Sequence, residues 1–179
     1  IEDDAKREVY QQYMNPALIK MCGHTNPDGS YTKGIEDFIP GAQYNQDKHR
    51  RKVVEDIKDN WLSLSQNGKF HALLATESIP EVIAYYRMLK EEMPVLNITS
   101  LFDPNIDNTG GQEFKEEGLV ELIKDYNERF HQKFSISTHA AMKKDMALRL
   151  AHKKPYNKLK PEEQINILIV VNQMLTVFD

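Results

Sequence analysis

Cysteine is nearly absent from this chain: among 179 residues only Cys22 carries a thiol. An internal disulfide is excluded, and the composition suits a reducing cytoplasm. Long apolar runs are missing too. The longest spans residues 167–171, far short of the roughly 20 residues a membrane-spanning helix needs, so no membrane partner is expected. The amino end, Ile-Glu-Asp-Asp-Ala-Lys-Arg, has no secretory character and no Met. It reads as cut from something longer, or processed. Excess charge of one sign is lacking as well. The net charge is −4, which gives no global attraction to nucleic acid. The basic stretches at residues 48–52 and between Lys143 and Lys154 are, taken singly, best explained as solvated helix faces.

The usual signatures of chemistry are also missing. A phosphate loop needs G-x-x-x-x-G-K-[ST]. The nearest approach runs from Gly29 to Gly34, but Ile35 stands where the Lys must be, and no apolar strand precedes it. There is no G-x-G-x-x-G and no G-x-S-x-G. The six His form no i, i+4 pair and no H-E-x-x-H, so nothing in their spacing specifies a metal. Asp103 followed by Glu113-Phe-Lys115 has the acidic, acidic, basic order of metal-dependent nucleases. That chemistry needs Glu-x-Lys on a rigid strand, whereas here it falls on a loop or helix start. Chance is the better explanation in a chain with 28% charged residues.

What is present is a regular alternation. Residues 1–45 have their own texture: a short helix over about 4–20 carrying Val9, Tyr13 and Ile19, then turns at Thr25-Asn-Pro-Asp-Gly29, Lys33-Gly34 and Pro40-Gly41. This part is expected to be a helical and irregular extension, or an inter-domain connection. From residue 46 the pattern tightens into one domain, 46–179. A helix near 47–66 aligns Val53, Val54, Ile57, Trp61 and Leu64, with Gly68 as its stop signal. A strand follows at 70–76. Ser78-Ile-Pro-Glu81 then opens a helix, with Ser78 capping, Glu81 returning the bond and Pro80 in the first turn. Its buried stripe should be Val82, Ile83, Tyr86 and Leu89.

A second strand at 96–102 leads into a polar loop at 103–111. A helix from about 114 to 130 carries Leu119, Leu122, Ile123 and Tyr126. Another, capped by Thr138 and running to about 152, carries Met142, Met146 and Leu150. Pro155 and Pro161 then break the chain. The last strand, Ile167-Leu-Ile-Val-Val, leads to the hook Asn-Gln-Met-Leu-Thr-Val-Phe-Asp179. An unbroken apolar run of this kind suits a strand buried on both faces of a parallel sheet. Strands alternating with long helices predict βαβ units and an open α/β fold. Such sheets place ligands outside the carboxyl ends of their strands. Thr76 and Ser78 end the first strand at a helix amino terminus, which offers free N–H groups to a phosphate. Thr176 could donate to a nucleic-acid phosphate and Asp179 could accept from a ribose hydroxyl. Capping and turn formation would account for each of these residues alone.

The strings Phe70-His-Ala-Leu-Leu-Ala-Thr-Glu-Ser-Ile-Pro-Glu-Val-Ile-Ala-Tyr-Tyr86, Leu101-Phe-Asp-Pro-Asn105, Asp125-Tyr-Asn127, Ala151-His-Lys153 and Ile169-Val-Val-Asn-Gln-Met-Leu-Thr-Val-Phe-Asp179 together do more. They resemble the R (restriction, motor) subunit of type I restriction-modification enzymes, over the second RecA-like domain of its superfamily 2 DNA translocase. The resemblance covers roughly residues 46–179 and implies a RecA-like, mostly parallel sheet flanked by helices. It makes the strand at 70–76 motif IV and the final strand and hook motif V. Gln-Met-Leu-Thr is fairly specific to these subunits; the α/β pattern is not.

Motif V in the family typically reads Val-Val-Asp-Gln-Met-Leu-Thr-Gly-Phe-Asp. Here Asn172 replaces the Asp and Val177 replaces the Gly, and a β-branched residue tolerates positive φ badly. The resemblance implies a DNA-backbone contact for Thr176 and a nucleotide contact for Asp179; Thr76 and Ser78, from their place at the strand end, are expected to bind DNA as well. It implies no catalytic residue and no resident metal. The full-length protein would be an ATP- and Mg²⁺-dependent DNA-translocating endonuclease of the cytoplasm. Its partners would be double-stranded DNA, the specificity and modification (methyltransferase) subunits, and the first RecA-like domain of the same chain. ATP in such motors sits between two RecA-like domains, so a single half-site is expected to be inactive, with no cofactor of its own. The alternatives are a non-catalytic α/β interaction module with a drifted motif V, and a small-molecule α/β enzyme. The last is disfavoured by the lack of an acid–base or nucleophile pair.

Overall fold

The strand that organises the molecule is the last one. A computed structural model describes residues 22–39, 44–103 and 112–171. It divides into two units, residues 1–50 and 51–179.

The described part of the first unit centres on a small hairpin. β1 (His24–Thr25) pairs antiparallel with β2 (Tyr31–Thr32), placing His24 opposite Thr32. The turn between them needs Gly29, whose φ is +84°; only glycine takes such an angle cheaply. Asp28 accepts from the Ser30 amide at 2.9 Å, and the Asn26 amide group donates to Ser30 and Thr32. A 3₁₀ turn, Glu36–Phe38, follows. The Asp37 carboxylate ties it back to the hairpin, accepting from the Gly34 amide at 2.7 Å and from the Tyr31 hydroxyl. The predicted turn at 25–29 is thus that of a hairpin whose two-residue strands are too short to show any period, and the turn predicted at Pro40-Gly41 lies outside the described residues. The predicted helix over 4–20 lies outside the described residues.

In the second unit, β3 (Ala72–Thr76), β4 (Ile98–Leu101) and β5 (Ile167–Val171) form a parallel sheet in the order β3-β5-β4. Every residue of β5 is buried, as the unbroken apolar run predicts. The four residues of β4 are buried as well, so both faces of the sheet are covered there. β3 alternates, and Leu73 is 48% exposed.

Helix α1 (Asp47–Leu64) buries Val54 and Trp61, with Val53 and Ile57 packed partly against the core. Leu64, expected on that stripe, is 62% exposed. It occupies the last turn, where the chain leaves the helix through left-handed Gln66, Asn67 and Gly68. Phe70 and His71 likewise fall before the strand rather than in it. The ladder starts where Ala72 meets Ile167, and Phe70 is 57% exposed.

Helix α2 (Ile79–Glu92) starts at Ser78 with Pro80 in its first turn, and packs Val82, Ile83, Tyr86 and Leu89 into the core against β4 and β5. Helix α3 (Gln112–Phe130) contributes Leu119, Leu122, Ile123 and Tyr126 to the same core. It approaches α2 at Gly118, where a β-carbon would lie 2.4 Å from Ile83 Cδ1. Helix α4 (His139–Leu150) places Met142 and Met146 in the core, while Leu150 is half-buried. Thr138 precedes α4 but makes no capping bond. Its hydroxyl instead closes a turn on Ser135. The predicted loop at 103–111 lies outside the described residues except for Asp103.

Two half-buried carboxylates cross-link the helices. Asp125 on α3 accepts from Tyr86 (2.8 Å) and Lys90 (2.6 Å) on α2, and pairs with Arg129 at 3.1 Å. Arg129 in turn donates to the Leu96 carbonyl just ahead of β4, at 2.8 Å. Asp145 on α4 accepts from Tyr126 (2.6 Å) and from Tyr156. Between the two anchors, Asn127 clamps the chain at Phe134 with paired 2.8 Å bonds. Asp125, Tyr126 and Asn127 therefore each fasten a different element to α3.

Candidate functional site

In a parallel ladder all carboxyl ends emerge at one edge. Register places Thr76 opposite Val171, the last described residue. The end of β3 and the end of β5 therefore share that edge, where open α/β sheets hold ligands.

Thr76 is buried, at 4% exposure, and its hydroxyl is occupied locally. It lies 3.3 Å from the Val170 carbonyl across the ladder and 3.3 Å from the Ser78 carbonyl along the chain. Thr76 thus holds the β3–α2 turn against the central strand. Ser78 is half-buried and extended (φ −148°, ψ 160°), in the cap position of α2, yet its hydroxyl makes no capping bond. The predicted capping box is displaced by one residue: Glu81 accepts from the Glu77 amide, at 2.9 Å, rather than from Ser78. A helix amino terminus with an uncommitted hydroxyl is suited to oxyanions. The Glu77 and Glu81 carboxylates beside it would oppose a second negative charge. Thr176 and Asp179, together with Asn172 and Val177, lie outside the described residues.

At the end of β4, Asp103 lies 3.2 Å from the Lys143 ammonium of α4. His139, one turn earlier on α4, is held below the ordinary imidazole value by burial and by Lys143, with Asp103 opposing. Glu113 and Lys115 stand in the first turn of α3, not on a strand, and Lys115 is buried at 3% exposure. That helical placement leaves the acidic, acidic, basic order without the rigid strand its chemistry needs. Among the described residues no three His, Cys, Asp or Glu side chains gather as metal ligands. None of their helices is long and apolar enough to cross a membrane.

The residues that sequence reasoning did not single out are Asp145 and Arg149, together with the role of Asp125. The i, i+4 spacings Asp125–Arg129 and Asp145–Arg149 were a usable signal. The tyrosines that complete both clusters come from other elements and leave no local trace.

A three-stranded parallel sheet covered by helices, with a helix amino terminus at the carboxyl end of β3, is an α/β architecture of the RecA-like kind. The family model for type I restriction enzyme subunit R domain 3 matches residues 68–179. The type I restriction enzyme SauCOLORF180P endonuclease subunit of Staphylococcus aureus (strain COL) is 31% identical over 142 residues, covering 74% of this chain and 14% of its own length. The SauMRSORF196P endonuclease subunit of strain MRSA252 is 30% identical over 142 residues, with the same coverage. The chain belongs to the type I restriction enzyme R-subunit domain 3 family. It spans 14% of the length of these relatives.

Proposed function

We propose that the chain is a motor region of an ATP-dependent, DNA-translocating type I restriction endonuclease subunit, contributing DNA-backbone contacts and one face of an ATP cleft. One observation carries the reading within a family member: the register of Thr76 with Val171. It brings the end of β5, from which the motif V segment continues, to the same sheet edge as the amino terminus of α2. In this reading the Ser78 hydroxyl meets a DNA phosphate, and Thr76 positions that turn. Thr176 supplies a second backbone contact, and Asp179 a nucleotide contact. ATP and Mg²⁺ belong to the whole subunit, where a first RecA-like domain would supply the phosphate-binding half of the cleft. Double-stranded DNA and the specificity and modification subunits are its partners, and the cytoplasm is its compartment. Because recognition would rest with the specificity subunit, this region meets backbone rather than bases.

The test is DNA-stimulated ATPase in the whole subunit assembled with its partners. Ser78→Ala and Thr176→Ala should each lower the stimulation, and Asn172→Asp with Val177→Gly should raise it. Inactivity of both the native and the restored subunit would instead support a non-catalytic interaction module. The isolated chain should show no measurable ATPase and only weak DNA binding that falls steeply with salt.

A further inference from the structure

The opposite edge of the sheet, at the amino ends of the strands, holds a cavity of about 730 Å³. Its walls are the last residues of α3 and α4 and the segment 155–163. Arg149 lines it and is 4% exposed. Its guanidinium lies between two rings, 4.3 Å from the Phe130 centroid and 4.1 Å from that of Tyr156. Stacking of this kind stabilises the cation but supplies no hydrogen-bond acceptor.

Five N–H donors need acceptors, and the described residues supply few. One goes to the Glu163 carbonyl at 2.8 Å. Asp145 is 3.7 Å away, and its oxygens already accept from Tyr126 and Tyr156. Nε is buried with no partner. Asp145 balances the charge of Arg149, but a buried N–H donor without an acceptor is costly. Exposed Lys158 and Lys160 stand on the same cavity wall. The two carboxylates there are Glu162 and Glu163. The Glu163 carboxylate accepts from the Lys160 amide at 2.9 Å and keeps its charge, so Glu162 and Glu163 both stand against the cations Arg129, Arg149, Lys158 and Lys160 of the lining.

We propose that this cavity is a phosphate-binding site, with Lys158 and Lys160 as the reaching ligands and Arg149 as the fixed charge behind them. It lies across the sheet from Thr76 and Ser78 and does not depend on the carboxyl-edge reading. A phosphate has enough oxygens to meet both ammonium groups and the guanidinium at once, which a single carboxylate does not. The phosphate could belong to a nucleic-acid backbone or to a free phosphate or nucleotide.

The 179-residue chain should be titrated with inorganic phosphate while backbone amide shifts are followed. Anisotropy of a labelled DNA duplex should be measured at several salt concentrations. Saturable shifts at residues 158–163 are expected, with affinity at least tenfold weaker in a Lys158→Ala, Lys160→Ala double variant. Glu162→Gln should tighten binding. If DNA binding weakens in the double variant and its log–log salt slope falls by about two, the source is a nucleic-acid backbone. If the phosphate response is lost while DNA binding is unchanged, the source is a free phosphate or nucleotide. Arg149→Lys should also weaken binding, but it alters a buried residue, so the exposed lysines decide. No saturable phosphate response, together with unchanged DNA binding in the double variant, would overturn the proposal.

Discussion

The Thr76 hydroxyl lies 3.3 Å from the Val170 carbonyl, a bond that joins the end of β3 to the central strand. Two residues on, Ser78 occupies a cap position without making the cap bond. These neighbours should therefore separate under mutation. Thr76→Val keeps the shape and removes the hydroxyl, and should cost about 1 kcal/mol of stability. Ser78→Ala would cost about 1 kcal/mol if the serine capped the helix, but here should change stability by less than about 0.5 kcal/mol. Its effect should appear in DNA binding instead. Urea denaturation of both variants checks this; a large loss of stability in Ser78→Ala would mean that the serine is a cap after all.

Asp125 ties α3 to α2 through Tyr86 and Lys90. Burial works to raise its carboxyl, but hydrogen bonds from Lys90 and Tyr86, with Arg129 alongside, outweigh it and hold the group below the ordinary value of 3.8. A depressed folded value means that its stabilisation is fully present above the ordinary carboxylate range. It is lost as pH falls through the depressed value. Asp125→Ala should cost about 3 kcal/mol at neutral pH, because three donors lose their acceptor. The gap between variant and native protein should narrow below pH ~4. A gap that stays constant with pH would assign the loss to packing rather than charge.

Much of this fold was legible because burial and period agree. The apolar run at 167–171 had no polar face to offer water, so it had to be central, and β5 is. Val82, Ile83, Tyr86 and Leu89 likewise kept helical spacing and are buried. The errors fall where neighbours decide. Phe70 has the composition of a strand residue, but the ladder opens only where Ala72 gains Ile167 as a partner. The hairpin around Gly29 is too short for any period. Ser78 was recognisable as a helix start; its missing cap bond and the reach of Glu81 to the Glu77 amide were not. Asp145 and Arg149 read as an ordinary helix pair. Their partners arrive from Tyr126, Phe130 and Tyr156, so the cavity that Arg149 lines had no sequence signal.

Gly118 looks like a poor helix residue, since glycine costs about 1 kcal/mol relative to alanine in a helix interior. Packing supplies its reason: an added β-carbon would sit 2.4 Å from Ile83 Cδ1 and 2.9 Å from Cγ1. Ile83 is 1% exposed and has little room to move. Gly118→Ala should therefore destabilise by about 1 kcal/mol despite its better propensity, since overpacking costs roughly 1–3 kcal/mol. Gly118→Ala with Ile83→Val should recover part of the loss. Thermal melts of the single and double variants measure the coupling, and additive effects would show that the two residues do not meet as described.

Ser100 offers the opposite case. It lies in β4 opposite Ile169, is 1% exposed, and its hydroxyl has no hydrogen-bond partner among the described residues. A buried hydroxyl without a partner costs roughly 1–3 kcal/mol relative to an apolar group. Ser100→Ala removes that cost and leaves only a small void, so it should raise stability by about 1 kcal/mol. Ser100→Val should gain less or lose, because the strand is covered on both faces and extra methyl groups must displace neighbours. A urea midpoint that falls in Ser100→Ala would show instead that the hydroxyl is satisfied in solution, by an ordered water or by a group that reaches β4.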